Sequence, residues 1–217
     1  MSFIRRAEWA MFSAENFAML ARNAMGKIIP TPKEFEKAWQ NVLYTHFHDI
    51  LTGSCVQESR EHAMGLLAQA IATAQTQQSK AYEKLSQAVD TSMFTCDDAI
   101  SRTKSEGAGV GYGLANYAGV PNPERGAGKH RVYTVFNPSA APRKELVEVT
   151  LWDYTGDITR LEAVDSTGAA VPLQVVDAEP QRYWDHLFYR ALFEAEVPAF
   201  GWATYELRPK KVTDYPT

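Results

Sequence analysis

Two histidines and an aspartate crowd into "THFHDILTGS", residues 45–54, where an apolar helical pattern runs into a glycine. Imidazoles and carboxylates are ordinary ligands of a divalent cation, and a carboxylate also accepts hydrogen bonds from hydroxyl groups. At ~100° per residue, a helix running through the stretch would set His46 on the stripe of Phe35, Trp39 and Val42. His48 would point roughly 160° away, on the arc of Asn41 and Tyr44. On that reading His46 is a packed histidine satisfied by one hydrogen bond, and His48 by itself is a surface residue. Asp49 lies at the edge of the core stripe, where a carboxylate needs a partner or a cation.

A catalytic cation takes three or four protein ligands and keeps a position open. The helical neighbours of His48 are Asn41, Tyr44, Thr45 and Thr52, none of them a strong ligand. No H-E-x-x-H or Cys-His pattern occurs, and His62, His130 and His186 stand isolated in sequence, as structural or surface residues do. A zinc shared by His46 and His48 fails on direction, because one helix cannot aim both rings at one ion. A site completed by this chain alone is not expected.

The elements that must position these residues follow from periodicity. Phe3, Ala7, Ala10, Ala14, Phe17, Ala21 and Ala24 recur at spacings of four and three, and the pattern closes at Gly26 before Pro30 and Pro32. A second helix starts with Thr31 as N-cap and Pro32 in the first turn, buries Phe35, Ala38, Trp39, Val42, Leu43 and Ile50, and runs to Gly53. A third, from about Val56 to Val89, carries Ala63, Leu67, Ala70, Ala74, Ala81, Leu85 and Ala88. Residues 1–90 therefore read as a three-helix bundle. Residues 91–130 read as a Gly-rich linker, whose "GAGVGYG" is no phosphate cradle because it neither follows a clear strand nor opens a helix. Residues 131–217 read as a partial β-sandwich, with strands at "RVYTVFN", "ELVEVTLW", "ITRLEAVD", "VPLQVV", "HLFYRALFEAEV" and "WATYEL". The fold class is thus α+β and multi-domain: helices first, an antiparallel sandwich-like region second.

Composition narrows the function. The 217 residues are 45% hydrophobic and 22% charged with a net charge of −4, so neither nucleic acid nor an anionic membrane is an electrostatically favoured partner. Cys55 and Cys96 form no disulfide framework and no C-x-x-C pair, and read as reduced thiols. The opening "MSFIRRAEWAMFSAENF" lacks the apolar core of a signal peptide, and no run approaches the ~18 apolar residues of a membrane span; a soluble, cytoplasmic protein is the expectation.

"WQNVLYTHFHDILTGSCVQES" resembles the bundle-domain signature of glycoside hydrolase family 38, the α-mannosidases: a helix with Trp, an aromatic or His, His-Asp, an apolar pair, Thr-Gly and Ser. "RRAEWAMFSAENFAMLA" resembles the family's preceding helix, and "RVYTVFNPSAAPRKELVEVTLWD" with "YWDHLFYRALFEAEVPAFGWATYEL" is similar to the start of its β-rich region. The resemblance implies a divalent ion, usually zinc, that binds two adjacent mannose hydroxyls. A His-x-Asp pair and a nucleophilic aspartate from an N-terminal α/β barrel would hold it, with His48 as the fourth ligand and Asp49 near the sugar hydroxyls. The implied reaction is retaining hydrolysis of terminal α-mannosides or oligosaccharides, through a covalent intermediate.

The barrel, the His-x-Asp pair and the nucleophile are not in these residues. The expected catalytic residues within the chain are therefore none, its expected partner is the barrel domain, and the 217 residues by themselves are expected to be inactive. Self-association is left open. His46 stands where the family usually carries Gln, which bears on the hydrogen bonding behind the ligand. The alternative is a non-enzymatic sugar- or protein-binding module, in which Trp152, Tyr183 and Trp184 stack on sugar faces, although strand aromatics are more often core. It gives His48 and Asp49 no task.

Overall fold

The computed structural model describes residues 2–24, 33–94, 128–183 and 186–210. Helices precede antiparallel sheets, the α+β arrangement expected. The chain divides into two compact units: residues 1–89 with 138–140, and residues 90–137 with 141–217.

In the helical unit, α1 (Phe3–Ala24) buries Ile4, Ala7, Met11, Ala14, Phe17 and Ala21, one per turn along a single face. The longest helix, α4 (Gln57–Ser86), answers with Ala63, Leu67, Ala70, Ala74, Ala81 and Leu85. Alanine on both faces lets the two backbones approach closely, while Phe17, Met11 and Leu67 fill the remaining space. Phe17 meets Tyr82 edge-on at 4.9 Å, and burial pushes the Tyr82 hydroxyl up to about 12. Packed chiefly against α4 is α2 (Lys33–Tyr44), which buries Phe35, Ala38, Asn41 and Val42; the Asn41 amide is satisfied by donating to Gln69 Oε1 at 2.9 Å. The capping expected from Thr31 and Pro32, and the closure at Gly26, lie outside the described residues.

The second helix does not run to Gly53 as its apolar pattern suggested. It stops at Tyr44, a turn spans Thr45–Phe47, and a five-residue helix, α3 (His48–Thr52), begins afresh. The cause is local. Thr45 is fully buried, and both its amide and its hydroxyl bond the carbonyl of Val42, at 3.0 and 2.7 Å. The amides of His46 and Phe47 likewise bond the carbonyls three residues back, so the helix tightens and ends.

In the β unit, one sheet has the order β1 (Arg131–Phe136), β8 (Trp202–Pro209), β3 (Leu161–Asp165), β4 (Ala170–Val171). The other has β2 (Arg143–Trp152), β7 (His186–Val197), β5 (Leu173–Val175), with β6 (Gln181–Tyr183) also on β7. Every pairing is antiparallel; β2 and β7 run in register from Arg143 opposite Val197 to Trp152 opposite Phe188. Alternate residues point inward, so Val147, Val149, Leu151, Ala191, Phe193 and Ala195 of one sheet meet Tyr133, Ala163, Tyr205 and Leu207 of the other. Strand β6 is absent from the sequence reading, β2 and β8 are each two residues longer than expected, and two further departures have a local cause. Asp157 caps a 3-10 turn at Ile158–Arg160 by accepting from the Thr159 amide and hydroxyl, which delays β3 to Leu161. "VPLQVV" splits at Pro172, which has no N–H to give a ladder, and the chain leaves one sheet for the other there.

Apart from residues 91–94 and 128–130, the expected Gly-rich linker lies outside the described residues. Among the described residues, no helix is long and apolar enough to cross a membrane.

Candidate functional site

The His-Asp segment is held by its own hydrogen bonds. Phe47 adopts an extended backbone, φ −53° and ψ 136°, and its carbonyl accepts the amides of Ile50 and Leu51 at 3.0 and 2.9 Å. Gly53 closes the helix at φ +82°, a left-handed conformation that favours glycine, and its amide bonds the carbonyl of Ile50. The Thr52 hydroxyl donates to the carbonyl of His48 at 2.7 Å. Ser54 Oγ donates to Asp49 Oδ1 at 3.1 Å, and the Cys55 amide donates to the Asp49 carbonyl at 3.0 Å. The chain is thus folded around Asp49, and one carboxylate oxygen is already oriented.

His48 is more exposed than Asp49, with 77% of its side chain open to solvent against 50%. Its Nε2 lies 3.5 Å from Asp49 Oδ2, and its ring tilts over Phe47 at 4.2 Å. The outward direction comes from the break before α3 and not from one continuous helix. Asp49 is accordingly half exposed in a short helix, not at the edge of a core stripe.

His46 corrects the sequence reading more sharply. It is not packed under the Phe35 stripe but exposed on the turn, where Nε2 lies within hydrogen-bond distance, 2.9 Å, of Glu8 Oε1 on α1. The other Glu8 oxygen pairs with Arg5 Nη1 at 2.6 Å. Once the two histidines occupy different elements, the argument from helix direction against a shared ion no longer applies; what occupies His46 is Glu8. Trp9, Phe12 and Trp39 line an open cleft of about 640 Å³ beside this pair. The reading of residue types missed Glu8, because nothing local in "RRAEW" points to a turn so far along the chain.

The remaining candidates have structural surroundings. His62 meets Tyr44 edge-on at 5.8 Å. His130 Nδ1 lies 2.6 Å from Oε1 of the buried Glu206, whose other oxygen is 3.3 Å from Arg208 Nη1. Trp152 packs on Phe188 across the β2–β7 pair at 4.7 Å, a cross-strand contact and not a free stacking face. The Trp184 position and the side chains of Tyr183 and His186 lie outside the described residues. Cys55 is a half-buried free thiol.

Among the described residues, no three His, Cys, Asp or Glu side chains come together in a way that could hold a metal ion. The donor chemistry of the turn fits one corner of a cation shell: an unshielded imidazole with a carboxylate beside it. Leu43, Tyr44, Phe47, Leu51 and Val56, from the same stretch of chain, are also exposed, at 52% or more.

A helical bundle that leads into antiparallel sheets in this order is found in solved glycoside hydrolases. The chain is similar in fold to an alpha-mannosidase from Enterococcus faecalis V583, with a TM-score of 0.60 and 18% identity over 99% of this chain and 24% of that one. It is likewise similar to a protein of glycosyl hydrolase family 38 from Enterococcus faecalis, with a TM-score of 0.56 and 18% identity over 100% and 26%. The chain therefore spans about a quarter of the length of each. No curated protein matches it. Residues 2–85 match the family model of the alpha mannosidase middle domain. The match covers α1, α2, α3 and almost all of α4, and so includes the His-Asp turn.

Proposed function

We propose that this chain supplies one edge of the active site of a metal-dependent, retaining α-mannosidase, in which His48 gives one ligand to a divalent ion, zinc, and Asp49 binds sugar hydroxyls. The observation that carries the reading is an exposed imidazole beside an oriented carboxylate, on a short helix within the segment matched to the alpha mannosidase middle domain. An imidazole this open to solvent suits a ligand whose other donors come from elsewhere.

When bound, the ion would act as a Lewis acid and template that fixes the mannose ring. In the chain itself, the exposed His48 ring carries nitrogen donors for a cation. Asp49, with Oδ1 engaged by Ser54, presents Oδ2 to a hydroxyl donor. The exposed Leu43, Phe47, Leu51 and Val56 are surface that an adjoining barrel would cover, excluding water from the site. Retention of configuration requires a carboxylate nucleophile and an acid about 5 Å apart, and in this reading the barrel provides them.

The test is hydrolysis of an aryl α-mannoside by the longer protein that carries both barrel and bundle. His48→Ala should remove zinc-dependent turnover with the thermal midpoint kept, and Asp49→Asn should raise KM. Full zinc-dependent activity in His48→Ala would overturn the assignment.

A further inference from the structure

We infer that Glu8 is a positioning residue: its carboxylate, seated on α1, holds His46 and so sets the direction in which the following turn presents His48. The inference rests on the role proposed for His48, but the contact that carries it is independent of any metal. Glu8 Oε1 and His46 Nε2 are 2.9 Å apart, and Arg5 Nη1 occupies the other oxygen at 2.6 Å, so the carboxylate is pinned at both ends. Glu8 is largely shielded, at 20% exposure, and Trp9, Phe12 and Trp39 form an apolar wall beside the pair, which strengthens a charge-assisted hydrogen bond relative to bulk water.

The start of α3 needs such an anchor because its far end alone is tied to α4, where Arg60 Nη2 donates to the carbonyl of Gly53 at 3.3 Å. Thr45 is sealed in the core, whereas Phe47 and His48 are both mostly exposed. Between the sealed residue and the presented one, His46 supplies the long-range tie to another helix. Without it, α3 keeps its internal hydrogen bonds and the Arg60 bond to Gly53, but the segment between Thr45 and His48 gains freedom to reorient.

The experiment measures amide residual dipolar couplings of Phe47 and His48 in the full 217-residue chain, without metal or substrate. Glu8→Ala and His46→Ala should shrink these couplings by at least about twofold through orientational averaging, while those of α1 and α4 are kept. Glu8→Gln keeps an acceptor and His46→Gln keeps an N–H donor, so both should restore wild-type values. Unchanged couplings in the alanine variants would overturn the inference, and so would failure of both glutamine variants to restore them. Should Glu8→Ala unfold the bundle, His46→Ala carries the same test, since it removes an exposed ring and leaves Glu8 paired with Arg5. A wrong metal assignment would leave every coupling as expected and would show only as retained activity in His48→Ala.

Discussion

Thr45 and His48 are three positions apart and have opposite fates, one fully buried and one open to water. The difference comes from what each group can bond. A threonine hydroxyl finds the carbonyl of its own preceding turn, so it can be buried without loss, whereas the His48 ring, in the first turn of α3, meets the exposed side chains of Phe47 and Asp49. A comparable local solution occurs in the β unit. The Tyr205 hydroxyl accepts from the amide of Glu196 at 2.8 Å and donates to its carbonyl at 3.0 Å, and burial raises its pKa above the ordinary tyrosine value. Tyr205→Phe should leave two backbone groups without their partner and lower stability by about 1–2 kcal/mol, read from urea unfolding. An unchanged midpoint would show that water replaces the hydroxyl. Glu8 was not legible in the sequence at all, since a contact between a helix and a turn far along the chain depends on how the elements pack and not on spacing along either.

At the scale of elements, two turns decide where side chains go. Gly53 ends α3 with φ +82°, and no atom lies within 4 Å of where a Cβ would stand. Gly53→Ala should therefore cost about 1 kcal/mol through backbone strain alone, and Gly53→Asn less, when both are compared by thermal unfolding. The β3–β4 turn is built on Asp165, whose Oδ1 accepts from the Thr167 hydroxyl at 2.6 Å and from the amides of Thr167 and Ala169. The Thr167 hydroxyl bond is the largest of the effects that hold this carboxyl below its ordinary 3.8. A depressed folded-state pKa contributes stability that is complete above the unfolded value and is lost as pH falls below it. The stability difference between wild type and Asp165→Ala should accordingly shrink between about pH 5 and about pH 3, and a difference independent of pH would refute the role given to the charge. Helix α2 shows why element boundaries escape a periodic reading: the apolar pattern continues through Phe47 and Ile50, but the hydrogen-bond ladder stops at Tyr44.

At the scale of the whole molecule, the chain spans about a quarter of the solved glycosidases it resembles in fold, and its described residues gather no three metal-binding side chains. On the role proposed for His48, the purified 217 residues should show no zinc-dependent hydrolysis of an aryl α-mannoside above blank, and clear turnover would overturn that proposal. What the sequence by itself determined is the order of helices then strands, the buried faces of α1 and α4, and the type of group available at residues 46–49. Those depend on local periodicity and on residue chemistry, which the chain carries wherever it folds. Only the tertiary structure decided that α2 breaks at a sealed threonine, that His46 leaves the core for Glu8, and that "VPLQVV" is shared between two sheets. Each of those outcomes is a competition between a local pattern and partners distant in sequence, and the winner is set by which polar groups can be satisfied once the elements are packed.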